Sequence, residues 1–226
     1  MSDETLPTLR FAINLGNAVL ASLTPEGQPA GITVELAKDI ARYLHCRPLF
    51  ITYPAAGKVV EDAGQGIWDI AFLAIDPKRE DRLRFTAPYI TIQGTLLVRD
   101  PSNWRSVREM DKPGVVINVG KNAAYDLWLS RELRYATLNR LASSQAAIDA
   151  FLAGEGDMAA GIRQPLEAAA QNNPGFRVLP DDFTEIQQAI CVAKADDRYF
   201  EVISERLVRL REDDTLSTMI AGHIRQ

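Results

Sequence analysis

Two stretches near the start of the chain, Leu9–Asn14 (LRFAIN) and Val34–Leu44 (VELAKDIARYL), set the fold class. The first is a short apolar run of the kind that forms a buried strand. The second places Leu36, Ile40 and Leu44 on one helical face, so it predicts an amphipathic helix. A strand followed by a helix is the repeating unit of α/β proteins.

The same alternation continues along the chain. Ile67–Leu73, with the sequence IWDIAFL, is apolar enough for a strand that is buried on both faces. Val115–Val119 predicts another strand, and helices are predicted over Ala123–Arg131 and Ser144–Ala153. This order predicts parallel βαβ units and therefore an α/β fold.

The composition excludes several classes of protein. The chain has 226 residues, of which 46% are hydrophobic and 24% charged, as in a globular protein of one large domain or two small lobes. A net charge of −5 argues against nucleic acid as a partner. No apolar run approaches the ~20 residues that span a bilayer. The opening MSDETLP has neither a basic nor an apolar leader region, so we expect either a removed leader or a cytoplasmic protein.

Cysteine and histidine give no sign of a metal or cofactor site. Cys46 and Cys191 are compatible with two buried thiols or with one disulfide, and the sequence leaves both open. His45 and His223 lie at predicted helix ends without spaced partners. Neither a metal centre nor a Ser-His-Asp arrangement is predicted, and no cofactor is expected.

Several motifs together resemble one family. Gly27–Ala37 (GQPAGITVELA) is similar to the G-x-x-x-G-[FI]-x-[VI]-[DE]-L-A opening of bacterial type II periplasmic solute-binding proteins, family 3, the polar amino acid kind. Asp76–Arg79 (DPKR) and Arg84–Tyr89 (RFTAPY) resemble the family's T-P-x-R and F-[ST]-x-P-Y motifs. Phe151–Ala160 (FLAGEGDMAA) resembles its L-x-x-G-x-x-D-A motif.

The resemblance implies a two-lobed type II fold with two hinge crossings and a ligand cleft between the lobes. Residues 1–93 plus 188–226 would form lobe one, and residues 94–187 lobe two. A ligand that contacts both lobes only when they are closed shifts the population toward the closed form. An ABC permease would recognise the closed form. The family also implies a monomer in the periplasm.

The resemblance assigns two anion-binding positions. Arg79 would clamp the ligand's carboxylate, a task that suits a guanidinium fork. Gly120–Ala123, with Lys121, Asn122 and Ala123, would offer free backbone N–H groups at a helix start, although Asn122 also fits a plain helix cap.

Other positions depart from the family pattern. Phe72 and Ala74 stand where amino acid binders carry hydroxyl groups, and Asn17 stands in place of an aromatic platform. Arg163 and Gln164 stand where an ammonium-binding aspartate is usual, and a cation there argues against an α-ammonium group. The alternative for Arg163 is a surface ion pair with Glu155 or Glu167.

Three further residues complete the predicted site. Lys58 lies on a loop that the family points at the cleft, Tyr89 lines the cleft or packs under the hinge, and Gln188 lies near the second crossing. Arg79, Arg163 and Lys58 together would give an excess of positive charge. We therefore expect a small anionic organic ligand, either amino acid-like or an amino-free carboxylate.

Two other functions share this fold. A cyclohexadienyl or prephenate dehydratase would need a general acid in the cleft, and Glu61 and Glu167 match no such position clearly. A ligand sensor would use the same lobes without a transporter. The solute-binding component of an ABC importer, without enzymatic activity, is the function that the sequence favours.

Overall fold

The computed structural model describes residues 5–224, and the chain divides into two compact units. Unit 1 runs to Ile90 and resumes at Gln188, and unit 2 is Thr91–Gln187. The first crossing predicted from the sequence, after residue 93, lies slightly later than this boundary. Residues 1–4 and 225–226 of the predicted lobe one lie outside the described part.

The regular elements alternate as strands and helices along most of the chain. In order they are β1 (Thr8–Asn14), β2 (Ser22–Leu23), β3 (Pro29–Ala30), α1 (Ile32–Tyr43), β4 (Arg47–Tyr53), α2 (Ala56–Glu61), β5 (Ile70–Ala74), β6 (Leu83–Arg99), β7 (Val116–Gly120), α3 (Ala124–Glu132), β8 (Thr137–Leu141), α4 (Ser144–Leu152), β9 (Met158–Ile162), α5 (Arg163–Asn172), β10 (Phe176–Val178), β11 (Thr184–Ala193), α6 (Phe200–Glu212) and α7 (Thr215–His223). The chain leaves unit 1 within β6 and returns within β11. None of the helices in the described range is both long and apolar enough to cross a membrane.

The sheet of unit 1 has the strand order β4-β1-β5-β11. β1 pairs in parallel with β4 on one side and with β5 on the other, and β11 runs antiparallel to β5. Alternate residues of β1 and β5 point to opposite faces. Phe11 and Phe72 pack in a cluster with α1 and α6, whereas Ala12 and Leu73 pack with Val59 of α2. Both faces of the sheet are therefore covered.

The sheet of unit 2 repeats this arrangement in the order β6-β9-β7-β8, with β10 beside β6. β7 pairs in parallel with β8 and β9, and β9 runs antiparallel to β6. Phe151 of α4 and Leu166 of α5 pack with Leu97 and Ala159 of the sheet. Unit 2 therefore also has a central strand with a parallel neighbour on each side.

The predicted α/β class and its parallel βαβ units are confirmed, and the sheets also contain antiparallel pairs. β11 runs antiparallel to β5, and β6 runs antiparallel to β9. These two strands carry the chain between the units, and within residues 5–224 no helix directly precedes either of them to bring the chain back in the parallel direction. The β2–β3 hairpin and β8 were not predicted. Cys46 and Cys191 are free thiols, which settles the alternative left open by the sequence.

Candidate functional site

The connections of unit 1 reverse direction at β1. From β1 the chain passes through α1 to β4 on one side, then through α2 to β5 on the other. In open α/β sheets, such a reversal leaves a crevice at the carboxyl ends of the strands, and ligands bind there. Asn17 follows the end of β1, and Arg79 follows the end of β5. The topology therefore brings these two predicted residues to one end of the sheet.

Arg79 is buried in unit 1, with 3% of its surface exposed. Its Nη1 donates to the carbonyl of Ala74 at 3.0 Å, and its backbone N–H donates to the carbonyl of Asp76 at 2.9 Å. Burial lowers the pKa of the guanidinium, and the nearby Asp76 carboxylate opposes that effect. The group remains a cation at neutral pH because arginine titrates far above it. Arg79 is thus a buried cation held by the turn after β5.

Four other predicted residues surround the end of β5. Phe72 and Ala74 are buried neighbours on one face of the strand. Gln188 of β11 pairs with Ala74 in the ladder, and the ring of Tyr89 meets that of Phe72 edge-on at 6.3 Å between centroids. The structure therefore gathers Phe72, Ala74, Arg79, Tyr89 and Gln188 at this end of unit 1.

Asn17 and Lys58 differ in burial and in their contacts. Asn17 is 7% exposed, and its carbonyl accepts the N–H groups of Leu20 and Ala21, both at 3.1 Å. Lys58 lies on α2 and forms an ion pair with Glu61 at 3.5 Å, where both side chains are 62% exposed. Asn17 is a fixed part of the loop after β1, whereas Lys58 belongs to a solvated pair.

Two side-chain oxygens of the unit 1 site are buried and unpaired. Within residues 5–224, the buried side-chain atoms that lack a hydrogen-bond partner include Asn17 Oδ1 and Tyr89 Oη. Burial also raises the pKa of the Tyr89 hydroxyl, so this group stays neutral. Buried polar atoms of native proteins usually have partners, so these two call for an explanation.

The loop Gly120–Ala123 of unit 2 does not offer the free backbone donors that the sequence predicted. The N–H of Gly120 donates to Tyr125 Oη, that of Lys121 to the carbonyl of Leu141, and that of Asn122 to Asp126 Oδ2. The N–H of Ala123 donates back to the carbonyl of Gly120. These four N–H groups are therefore used within unit 2, contrary to the expectation that they are free, and ligand binding by Lys121, Asn122 and Ala123 stays a prediction.

Asn122 is not the helix cap. Helix α3 is capped by Ala123 without a side-chain hydrogen bond, and Asn122 has a left-handed backbone with φ of 61°. The charge at this helix start comes from Asp126, which is 1% exposed and pairs with Arg140 Nε at 3.0 Å. A carboxylate in the first turn already interacts with the helix dipole, so it disfavours a second anion there. Lys121 is exposed on the same loop.

Arg163 is held within unit 2. Its Nε and Nη2 both donate to Asp182, the latter at 2.6 Å, and Nη1 lies 3.5 Å from Glu167. Nη1 and Nη2 also donate to the carbonyls of residues 179–181. Each guanidinium nitrogen therefore has an acceptor, and the expectation that Arg163 adds uncompensated positive charge is wrong. The neighbouring Gln164 has a buried Oε1 with no partner in the described range.

Three acidic residues that were not predicted as site residues lie next to charged or loop groups of the two candidate sites. Asp76 lies near Arg79. Asp126 accepts a hydrogen bond from the loop after β7, and Asp182 forms an ion pair with Arg163. Asp126 had a local signal, because it is an acid in the first turn of a predicted helix. Asp182 had none, since it lies far from Arg163 along the chain. Asp182 pairs with Arg163 and Glu61 pairs with Lys58, and Asp76 lies near Arg79. The excess of positive charge predicted for these three basic residues is therefore absent.

A family model described as bacterial extracellular solute-binding proteins, family 3, matches residues 9–226. No curated protein sequence matches the chain.

Similar solved structures share the fold along nearly the whole chain. One is an ancestral amino acid-binding protein described as a precursor of cyclohexadienyl dehydratase (21% identity, TM-score 0.81, 96% of each chain covered). Another is a binding component of an ABC transporter from Wolinella succinogenes, complexed with lysine (18% identity, TM-score 0.83, 97% of this chain and 96% of the other). A third is a histidine kinase sensor domain with similarity to periplasmic binding proteins (17% identity, TM-score 0.85, 98% and 97%).

These similarities agree with the element order and strand topology of both units. The family model matches from Leu9, the second residue of β1, and so includes all later elements. The similar solved structures show the type II periplasmic binding protein fold. The chain therefore belongs to the bacterial extracellular solute-binding proteins, family 3.

Proposed function

We propose that this chain is the solute-binding component of an ABC-type importer and that it captures a small organic solute bearing a carboxylate. The observation that carries this proposal is Arg79, a buried cation beside the end of β5 at the reversal point of unit 1. A guanidinium fork binds a carboxylate through two parallel hydrogen bonds, which gives both strength and orientation.

The charge pattern no longer favours an amino-free acid over an amino acid. Lys58 and Arg163 are paired with Glu61 and Asp182, so they do not add the free positive charge on which the sequence argument rested. A structural neighbour is complexed with lysine, which is a carboxylate with two amino groups. The proposed ligand class therefore includes amino acids as well as amino-free organic acids.

The proposed setting follows from the family. We infer that the chain works as a monomer outside the cytoplasmic membrane, delivers its ligand to a membrane permease and binds without chemical turnover. Family members are described as extracellular, and the named neighbours include an ABC transporter component.

A thermal-shift screen of the purified protein tests the proposal. The panel contains L-amino acids, amino-free mono- and dicarboxylates, and aromatic acids. A ligand that binds only the folded state raises the melting temperature by mass action. We expect a shift with at least one carboxylate-bearing compound and no shift in Arg79→Ala with the same compound. Equal shifts in both proteins would contradict the role of Arg79, and no shift with any member would contradict the proposed function.

A ligand sensor is the second candidate, favoured by the similarity to the histidine kinase sensor domain. Both functions need the same ligand contacts, so binding data do not separate them. Uptake of the labelled ligand by source cells with and without this chain does. Uptake that depends on the chain supports the importer, and unchanged uptake supports the sensor.

A further inference from the structure

A groove opens on the surface of unit 1, beside the edge strand β4. It has a volume of about 510 Å³ and is lined by Glu35, Lys38 and Arg42 of α1, Pro48 of β4 and Met219 of α7. Pro48 lies near the amino end of β4, whereas Arg79 follows the carboxyl end of β5. The groove therefore reaches the end of the sheet opposite to the site already described. Its volume is in the range of small-molecule sites, about 300–1,000 Å³.

The wall of the groove is mostly apolar. Met219 is half-buried and packs against the hydrophobic cluster of unit 1, and Pro48 has no polar side-chain atom. The aliphatic stems of Lys38 and Arg42 extend this wall while their charged ends stay in water. A methionine side chain is flexible and polarisable, so it adapts to apolar groups of different shape. The groove thus offers an apolar surface that two cations border.

The two cations lie next to each other on α1. Lys38 and Arg42 are exposed and four residues apart, so their side chains are neighbours on one helical face. Like charges at this spacing repel each other. Among residues 5–224, no ion pair or side-chain hydrogen bond involves either of them. An anion between them would relieve the repulsion.

The acids that α1 places beside these cations are used elsewhere. Glu35, three residues before the first cation, contacts Nε2 of His223 on α7 at 2.6 Å. Asp39, three residues before the second, accepts two hydrogen bonds from Arg206 of α6, at 2.8 and 2.9 Å. The positive charge at the groove is therefore left for a ligand.

The apolar surface is confined to the groove. The large apolar side chains exposed on unit 1 include Leu23, Leu49 and Val208, and none of these three lines the groove. Leu49 follows Pro48 along β4 and so points to the opposite face of the sheet. A stable protein interface needs about 800 Å² on each partner, which calls for a broader surface than this groove. The groove therefore suits a small ligand better than a partner protein.

We propose that this groove is a second ligand site, which binds a small amphiphilic anion with a single alkyl chain. The chain lies against Met219 and Pro48, and the anionic head group lies between Lys38 and Arg42. Glu35 lines the same groove about 10 Å along α1 from Arg42, so its carboxylate disfavours the head group at that end. The site is separate from Arg79, and the inference goes beyond the proposed function.

Titration calorimetry with octanoate, 1-octanol and acetate tests the inference, each below the concentration at which it aggregates. The wild type should bind octanoate about tenfold or more tighter than either 1-octanol, which lacks the charge, or acetate, which lacks the chain. Lys38→Gln combined with Arg42→Gln should weaken octanoate binding about tenfold or more. Arg198→Gln combined with Arg209→Gln removes the same charge from side chains of unit 1 that are each 61% exposed. This control should stay within about twofold of the wild type.

Nuclear magnetic resonance of isotope-labelled methionine methyl groups locates the alkyl chain. Met219 lines the groove, whereas Met110 and Met158 are buried in unit 2. Octanoate should shift the Met219 signal, which Met219→Leu identifies, and leave the signals of the two unit 2 methionines in place. In the double variant of Lys38 and Arg42, the same shift should need about tenfold more octanoate.

Several outcomes would overturn the inference. These are no measurable octanoate binding, equal binding in the wild type and the Lys38 and Arg42 double variant, or an unchanged Met219 signal. Octanoate binding that is lost in Arg79→Ala and kept in the double variant would place the acid at the site already described. Protein that sediments with phosphatidylglycerol vesicles but binds no free octanoate would assign the cations to a membrane surface instead. The proposed function stands in each case, because the thermal-shift comparison with Arg79→Ala tests it separately.

Discussion

Units 1 and 2 share one topology but treat their strand-end loops differently. In each, a central strand has parallel neighbours on both sides, and the connections reverse around it. In unit 2 the loop after β7 uses its backbone donors internally, and Arg163 is fully engaged. In unit 1 the corresponding end buries Arg79 and leaves Asn17 Oδ1 unpaired. A shared topology therefore locates two candidate sites, and the side chains and backbone groups at the two strand ends are engaged differently.

The largest expected effect is on stability when Arg79 is replaced. Arg79→Met removes the cation near the buried Asp76 carboxylate, and leaving a buried charge without its compensating neighbour costs about 3–5 kcal/mol. The free energy of unfolding from urea titration measures this loss. The double variant Arg79→Met with Asp76→Asn should recover a large part of it, because no lone charge remains. A loss under about 1 kcal/mol in the single variant would show that the two groups are not coupled.

The next effect concerns the loop that carries Asn17. Gly31 has φ of 117°, and a Cβ there would lie 2.5 Å from the Leu20 carbonyl oxygen. Gly31→Ala should cost about 3 kcal/mol from strain and overlap, and it should also weaken ligand binding. Gly27→Ala is the matched control, since Gly27 has φ of 79° but open space around it. That variant should cost only about 1–2 kcal/mol and leave binding unchanged. Equal effects of the two variants on binding would contradict the prediction that Asn17 contacts ligand.

A smaller effect is expected in unit 2. Asp126→Asn weakens the hydrogen bonds from the N–H of Asn122 and from Arg140 Nε, at a cost of about 2 kcal/mol. Because this network is internal to unit 2, we expect ligand affinity to change by less than about threefold. Asp149→Asn, on an exposed part of α4, is the control and should stay within about 0.5 kcal/mol. A drop in affinity larger than the drop in stability explains would mean that the loop binds ligand directly.

The smallest expected effect is a pH dependence of the free energy of unfolding, caused by Asp69 of unit 1. Burial alone would raise the pKa of Asp69, but hydrogen bonds from the side chain and backbone of Arg10 hold it below the ordinary 3.8. A lowered pKa stabilises the fold above the unfolded-state value, and this contribution is lost as pH falls through the folded-state value. Asp69→Asn should therefore cost about 1.5 kcal/mol at pH 7.

The difference between the two proteins should shrink below about pH 4, where the wild type loses the same contribution. Urea titrations at pH 7 and at pH 3 measure it. A difference that stays constant between these two values would mean that the charge of Asp69 does not contribute.

The sequence predicted those elements whose buried residues form a clear apolar pattern. The run IWDIAFL predicted β5, whose residues are all buried. Arg79, which the family motif singled out, is also buried and follows the end of that strand. The pattern missed β8, because TLNRL is polar and only partly buried, as befits the last strand in its sheet order. For Arg163 the sequence offered an ion pair with Glu167 as an alternative, and that contact is present, but the other acceptors come from residues 179–182 and no local pattern indicates them. Local periodicity predicts elements, whereas the use of each donor depends on tertiary contacts.

Titration calorimetry on two arginine variants separates the two units as ligand-binding elements. The ligand is the acid that most raises the melting temperature of the wild type, and circular dichroism confirms that each variant is folded at the temperature used. We expect Arg79→Met to lose about 100-fold or more in affinity, because a buried charge-assisted contact is removed. Arg163→Met, whose acceptors lie within unit 2, should stay within about fivefold of the wild type. The reverse order, or equal losses, would contradict the assignment of carboxylate recognition to unit 1.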